Sequence, residues 1–163
     1  MKRILSHSFS AIAAAAALVA APTTAHADCG DPDQPACNGP VPTVDQVVAI
    51  MDRLMDPNVP APDKSDIVTP AFTDNEFQKV DCMTGRHLYL STPWIVTNIQ
   101  SAPNNFAGAT VAKPAGFRVP PPKPIVLVDH GGHWLLTHRI AMYMLDEFYS
   151  ADIGVRAIPW CWP

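Results

Sequence analysis

Four cysteines behind an export signal set the tightest limit on how this chain can fold, because covalent ties fix which distant segments must meet before any packing is considered. Residues 1–27 carry the parts of a secretory signal: Lys2 and Arg3 as a positive start, an uncharged apolar run over 11–21, and Ala25-His26-Ala27 as a small-x-small cleavage site. The run is shorter than the ~20 residues a bilayer-spanning helix requires. Every later apolar stretch is broken by Pro, Gly or charge, so no transmembrane segment is expected. There is no twin-arginine pair, and Asp28 stands between the cleavage site and Cys29, where a lipid anchor would need the cysteine itself. The expected product is a released, extracellular protein beginning at Asp28.

In an oxidising compartment the even set Cys29, Cys37, Cys82 and Cys161 implies two disulfides, for which three connectivities exist. Cys29 and Cys37 enclose the turn-rich segment Gly30-Asp31-Pro32-Asp33-Gln34-Pro35-Ala36, which favours Cys29–Cys37 and leaves Cys82–Cys161 to close a long loop. A structural zinc site would need close Cys-x-x-Cys pairs, and the spacing contains none. The net charge of −4 becomes −6 once Lys2 and Arg3 are removed, a balance that argues against nucleic acid as a partner. Proline, at 18 residues, is the compositional outlier. Together with Gly it still falls short of the ~25–30% typical of disordered chains.

The periodicities predict a Pro-rich disulfide arm over 28–42 and one α+β domain over 43–163. Thr43-Val44-Asp45-Gln46 has the form of a capping box, and Val44, Val47, Val48, Met51 and Met55 follow at the spacing of one buried helical face. Asp56-Pro57-Asn58 ends that helix. Residues 60–70 read as a broken connection with a helical turn around 64–67. A second capping box, Thr73-Asp74-Asn75-Glu76, predicts a helix over 74–82 stopped at Gly85. Residues 94–100 and 106–113 are rich in β-branched and aromatic residues and predict two antiparallel strands, with 88–90 as a leading strand. Pro120-Pro121-Pro122 is a stiff connector. Residues 125–130 and 133–136 around Gly131-Gly132 form the clearest hairpin. A last helix is predicted over 138–149, and the Cys161 bridge would pin Trp160 and Trp162 against the body. The whole reads as an antiparallel meander of about four strands covered on one face by helices.

Several of these segments occur together in order: Pro42-Thr43, Asp56-Pro57-Asn58-Val59, Val96-Thr97-Asn98-Ile99-Gln100, and Gly131-Gly132 followed by Trp134-Leu135-Leu136 and Ala141-Met142. In this arrangement the chain resembles the mycobacterial low-molecular-weight secreted antigen family over residues 41–148. The resemblance implies a secreted or cell-wall-associated protein with a cystatin-like or nuclear-transport-factor-two-like α+β shape. It assigns no chemistry. The Cys29–Cys37 arm, Cys82, the tail over 150–163 and the histidines of the hairpin tip depart from the family pattern, so no functional residue is carried across.

The sharpest candidate for chemistry is Asp129-His130-Gly131-Gly132-His133 with His138 downstream, since imidazole and carboxylate are the usual zinc and copper ligands. A two-residue turn would set His130 and His133 side by side, with Cβ atoms ~5 Å apart. His138 then falls near the far end of the hairpin, so the pair lacks a third ligand unless His87 supplies it. Solvent-facing turn histidines are the plainer reading. No Gly-x-Ser-x-Gly elbow is present, and a disulfide-bonded cysteine cannot attack. Asp146 and Glu147 diverge on their helix and read as a solvated face. No catalytic residue and no cofactor is implied. The leading expectation is a non-enzymatic binding or interaction protein. The alternative is a carrier of a small apolar ligand, with Trp94, Trp134, Met51 and Met55 lining a helix-sheet pocket. A metal-dependent hydrolase using His130 and His133 comes third.

Overall fold

The computed structural model describes Cys29, residues 37–85, 92–115 and 119–153, and Cys161. The signal segment, the 88–90 strand, His87 and the two terminal tryptophans lie outside the described residues. Helix α1 (Val44–Met55) begins at Thr43, whose hydroxyl accepts from the Gln46 N–H at 3.2 Å while Gln46 Oε1 accepts from the Thr43 N–H at 2.8 Å. Two otherwise unpaired donors are thereby satisfied at the helix start. Its buried stripe is Val47, Ile50, Met51, Leu54 and Met55. Val44, expected on that face, is 48% exposed, so the buried stripe begins one turn later at Val47.

The chain breaks at Asp56-Pro57 and re-enters helix as α2 (Ala61–Lys64), followed by a 3-10 turn over Ser65–Ile67. Lys64 explains the tight connection. Its side chain is fully buried and its Nζ donates to the Leu54 carbonyl at 2.9 Å and the Asp56 carbonyl at 2.6 Å, groups that the end of α1 leaves without helical partners. Asp81 Oδ1 accepts from the Ala61 N–H at 2.7 Å and so holds the start of α2 to α3 (Asp74–Thr84).

Among the described residues the sheet has five strands, in the order β1-β5-β4-β3-β2: β1 (Val68–Thr69), β2 (Ile95–Ala102), β3 (Phe106–Ala112), β4 (Lys123–Asp129) and β5 (Trp134–Thr137). Four of these form the expected antiparallel meander. The fifth corrects the expectation: β1 pairs in parallel with β5, Val68 opposite Leu136 and Thr69 opposite Thr137, so the sheet is mixed. A strand of two residues cannot show a period of two, and the parallel partner lies almost seventy residues away in sequence. A bulge interrupts the β2–β3 ladder between Thr97 and Gln100, at Asn98 with its positive φ of 53°.

Alternation along the strands sets the two faces. Ala107, Ala109 and Val111 of β3, Ile125 and Leu127 of β4, and Trp134 and Leu136 of β5 are buried and join the helix stripes in one core. Helix α4 (His138–Ile153) contributes Ala141, Met144, Leu145, Phe148 and Tyr149 to it. Lys123 Nζ fastens β4 to this helix at 2.6 Å from Glu147 Oε2 and 2.9 Å from the Tyr143 hydroxyl, so Glu147 is an ion-pair partner and not part of a free solvated face. The Glu147 bond, then the Tyr143 hydroxyl, raise the Lys123 pKa.

Among the described residues the opposite, outward face of the sheet has no helix over it. Phe106 stands across from Val128, Gly108 across from Val126, and Val128 across from Leu135, so these side chains share that face. Val126 is 38% exposed. The cysteines pair as Cys29–Cys37 and Cys82–Cys161, with Cα atoms 5.0 and 5.6 Å apart. The Ser101 hydroxyl donates to the Cys37 carbonyl and lays the arm against β2.

Candidate functional site

The first turns of α3 and α4 meet through their side chains. The second capping box places Glu76 at the third position of α3, where its Oε2 accepts from the Thr73 N–H and the Thr73 hydroxyl, both at 2.8 Å. Its other oxygen, Oε1, lies 2.9 Å from Nε2 of His138, the first residue of α4. Nδ1 of the same ring is 3.0 Å from the carbonyl oxygen of Pro70, which follows a cis peptide bond from Thr69. Phe72 packs edge-on against the imidazole with centroids 5.4 Å apart. Partial burial alone would raise the Glu76 pKa; the Thr73 N–H, the Thr73 hydroxyl and His138 all favour the charged form and hold it below the ordinary 4.5.

Both ring nitrogens of His138 therefore face acceptors. A peptide carbonyl cannot donate, and the ionised Glu76 already takes two donors on its other oxygen. Each ring nitrogen is thus engaged by an oxygen of its own, Nε2 by Glu76 and Nδ1 by Pro70. Neither nitrogen is free to take a proton from a substrate in this arrangement. The pair is a latch between α3, α4 and the loop after β1.

Beside the latch lies a groove of about 740 Å³. Phe106 and Val128 bring the outward sheet face into it, Pro70 and Ala71 bring the β1–α3 loop, and Thr137, His138 and Arg139 bring the turn from β5 into α4. His130 joins it from the hairpin tip. Arg139 is exposed and makes no ion pair or hydrogen bond among the described residues. Further along the same face, Pro124 and Val126 line a second depression of about 500 Å³.

The sequence-predicted residues fall elsewhere. Trp94 is buried, with Phe148 edge-on at 5.2 Å between ring centroids and Lys113 Nζ 4.0 Å from its ring centroid. Lys113 also donates to the Thr92 carbonyl, and burial lowers its pKa while Asp52 opposes the shift. Trp134, Met51 and Met55 are buried in the core, and none of these four residues lines either depression described above. His130 and His133 exchange backbone hydrogen bonds of 2.9 and 3.4 Å across Gly131 and Gly132, whose φ values of 68° and 90° are those of the tight hairpin turn that glycine permits. Asp129 Oδ1 accepts from the Gly132 N–H at 2.5 Å, so it braces the turn. Both histidines are exposed, and among the described residues no three His, Cys, Asp or Glu side chains converge as a metal site.

Three features of this region are not joined into one site by local sequence, where His138 stands only as a distant companion of the hairpin histidines. Glu76 was read as a cap alone, although its free oxygen reaches α4. His138 and Arg139 place basic side chains in the first turn of a helix, where the macrodipole disfavours them, and that conflict was the available signal. The third is Val126 and Val128, which make β4 apolar on both faces.

The chain matches the low molecular weight antigen MTB12 C-terminal domain over residues 40–148. No curated protein matches it.

Proposed function

This chain belongs to the low molecular weight antigen MTB12 family, and from that premise we propose that it is an exported, non-enzymatic binding protein whose ligand site is the groove beside the His138–Glu76 latch. The proposal includes cleavage after Ala27, an arm over 28–42, one folded domain over 43–163, and release to the cell exterior or the cell wall. Two disulfide pairs fit an oxidising compartment. Among the described residues no helix is long and apolar enough to cross a membrane.

One observation carries the binding reading: the strand β4 is apolar on both faces, but among the described residues only one face is covered by helices. Ile125 and Leu127 point into the core, whereas Val126 and Val128 lie on the outward side with Phe106 and Leu135. Antiparallel strands with one wet face normally alternate apolar with polar residues. Apolar surface retained at a concave site of ligand size, within the usual ~300–1,000 Å³, is the signature of a pocket that takes up an apolar group. The saturated hydrogen bonding of His138 favours binding over hydrolysis at this place.

The test is a fluorescence titration of the mature protein with the uncharged dye Nile red, repeated with Val128→Asp. Saturable binding that weakens at least tenfold in the variant, with far-UV circular dichroism unchanged, supports the reading. No saturable binding, or binding indifferent to Val128→Asp, contradicts it.

A further inference from the structure

We infer that the groove takes a free single-chain amphiphile with a carboxylate head, its head at Arg139 and its tail along the outward face of the sheet. The inference rests on the groove being the ligand site and adds the chemistry of the ligand.

The charges of the groove are unequal. Glu76 is its acidic lining residue, and both of its oxygens are already occupied by Thr73 and His138. Arg139 is left as a guanidinium at the same groove with no acidic partner among the described residues. A guanidinium presents parallel N–H groups that match the paired oxygens of an anionic head, of which a carboxylate is the simplest on a single-chain amphiphile.

The apolar part sets the rest of the ligand. Phe106 and Val128 in the groove are continuous, through the cross-strand pairs Phe106–Val128 and Val128–Leu135, with Leu135 on the same face. The apolar surface thus crosses β3, β4 and β5 beside Arg139 and offers a bed for the alkyl chain of an amphiphile. The protein as a whole carries net negative charge, which repels an anionic bilayer. A monomeric amphiphile is favoured over a lipid surface on that ground.

The experiment displaces bound Nile red with an alkyl carboxylate, an alkyl alcohol and an alkyl trimethylammonium of one chain length, each below its micelle concentration. A charge-assisted hydrogen bond predicts that the carboxylate displaces at roughly tenfold lower concentration than the alcohol, with the ammonium weakest. Arg139→Gln, at an exposed position, should bring the carboxylate to the level of the alcohol and leave the alcohol unchanged. Equal displacement by all three probes, an ammonium preference, or a carboxylate advantage that survives Arg139→Gln overturns the head-group assignment while leaving the groove reading intact. If Nile red itself fails to bind, the groove reading is what fails. Binding to anionic vesicles without displacement by the monomeric carboxylate overturns the assignment to a free ligand.

Discussion

Replacing Lys64 by methionine should remove a rise in stability that the native protein shows in alkali. The Lys64 side chain is fully buried, and its ammonium is held by the Leu54 and Asp56 carbonyls. Burial lowers its pKa from 10.5 to about 8, against the attraction of Asp56 and Asp81 and with a small contribution from Arg53. In the unfolded chain the amine returns to its ordinary value. Between those two values the unfolded chain binds more protons than the folded one, so stability increases with pH across that window and levels off on either side. The interval from about 8 to 10.5 converts to a gain of about 3 kcal/mol, with a slope approaching ~1.4 kcal/mol per pH unit. Lys64→Met keeps an unbranched stem of similar bulk but has nothing to titrate. It also takes the ammonium from the Leu54 carbonyl, at a cost of about 1–3 kcal/mol if that group is left unpaired, and from the Asp56 carbonyl, which keeps the Val59 N–H at 3.3 Å, all set against relief of the buried charge. Its absolute stability at neutral pH is thus a balance of opposed effects, whereas the pH dependence is not. Urea unfolding followed by far-UV circular dichroism, in pH steps from neutrality to alkali without reductant, measures the difference between the two proteins. A native-minus-variant difference that stays constant through the window refutes the reasoning.

Other perturbations follow from the same structure. Cys82→Ser with Cys161→Ser opens a tie spanning 79 positions and should lower stability by about 4 kcal/mol in the chain-entropy model, read as a loss in urea midpoint. The Glu76 carboxyl is held below its ordinary 4.5, so its contribution is complete above that pH and is lost as pH falls through the lower folded value. Glu76→Gln should therefore flatten the acid limb of the stability curve, as thermal melts across that range would show. Thr43→Ala removes half of the α1 capping box and should cost about 1 kcal/mol by the same urea assay.

Local chemistry made much of this fold readable. Thr43-Val44-Asp45-Gln46 and Thr73-Asp74-Asn75-Glu76 announce α1 and α3 because the cap and its reciprocal partner are three residues apart, and Gly131-Gly132 announces the hairpin because both turn positions need positive φ. β1 was hidden because Val68 and Thr69 gain their strand character from a partner remote in sequence. The site was harder still. Glu76 and His138 are 62 positions apart, and their meeting depends on how β1 and β5 bring two helix starts together. Large aromatic and Met side chains suggested a pocket at Trp94, Trp134, Met51 and Met55, yet residues of that bulk serve here to fill the core. The informative pattern was smaller: a strand with valines on its open side, and an arginine where a helix start would prefer an acid.

Titrating an alkyl carboxylate into isotope-labelled mature protein and following backbone amide shifts by NMR tests the central claim most directly. The account predicts that the largest shifts cluster at Ala71, Phe106, Val128, Thr137 and Arg139, with Met51, Met55, Trp94 and Trp134 quiet. The strongest shifts falling on those last four residues, with the groove undisturbed, would contradict it.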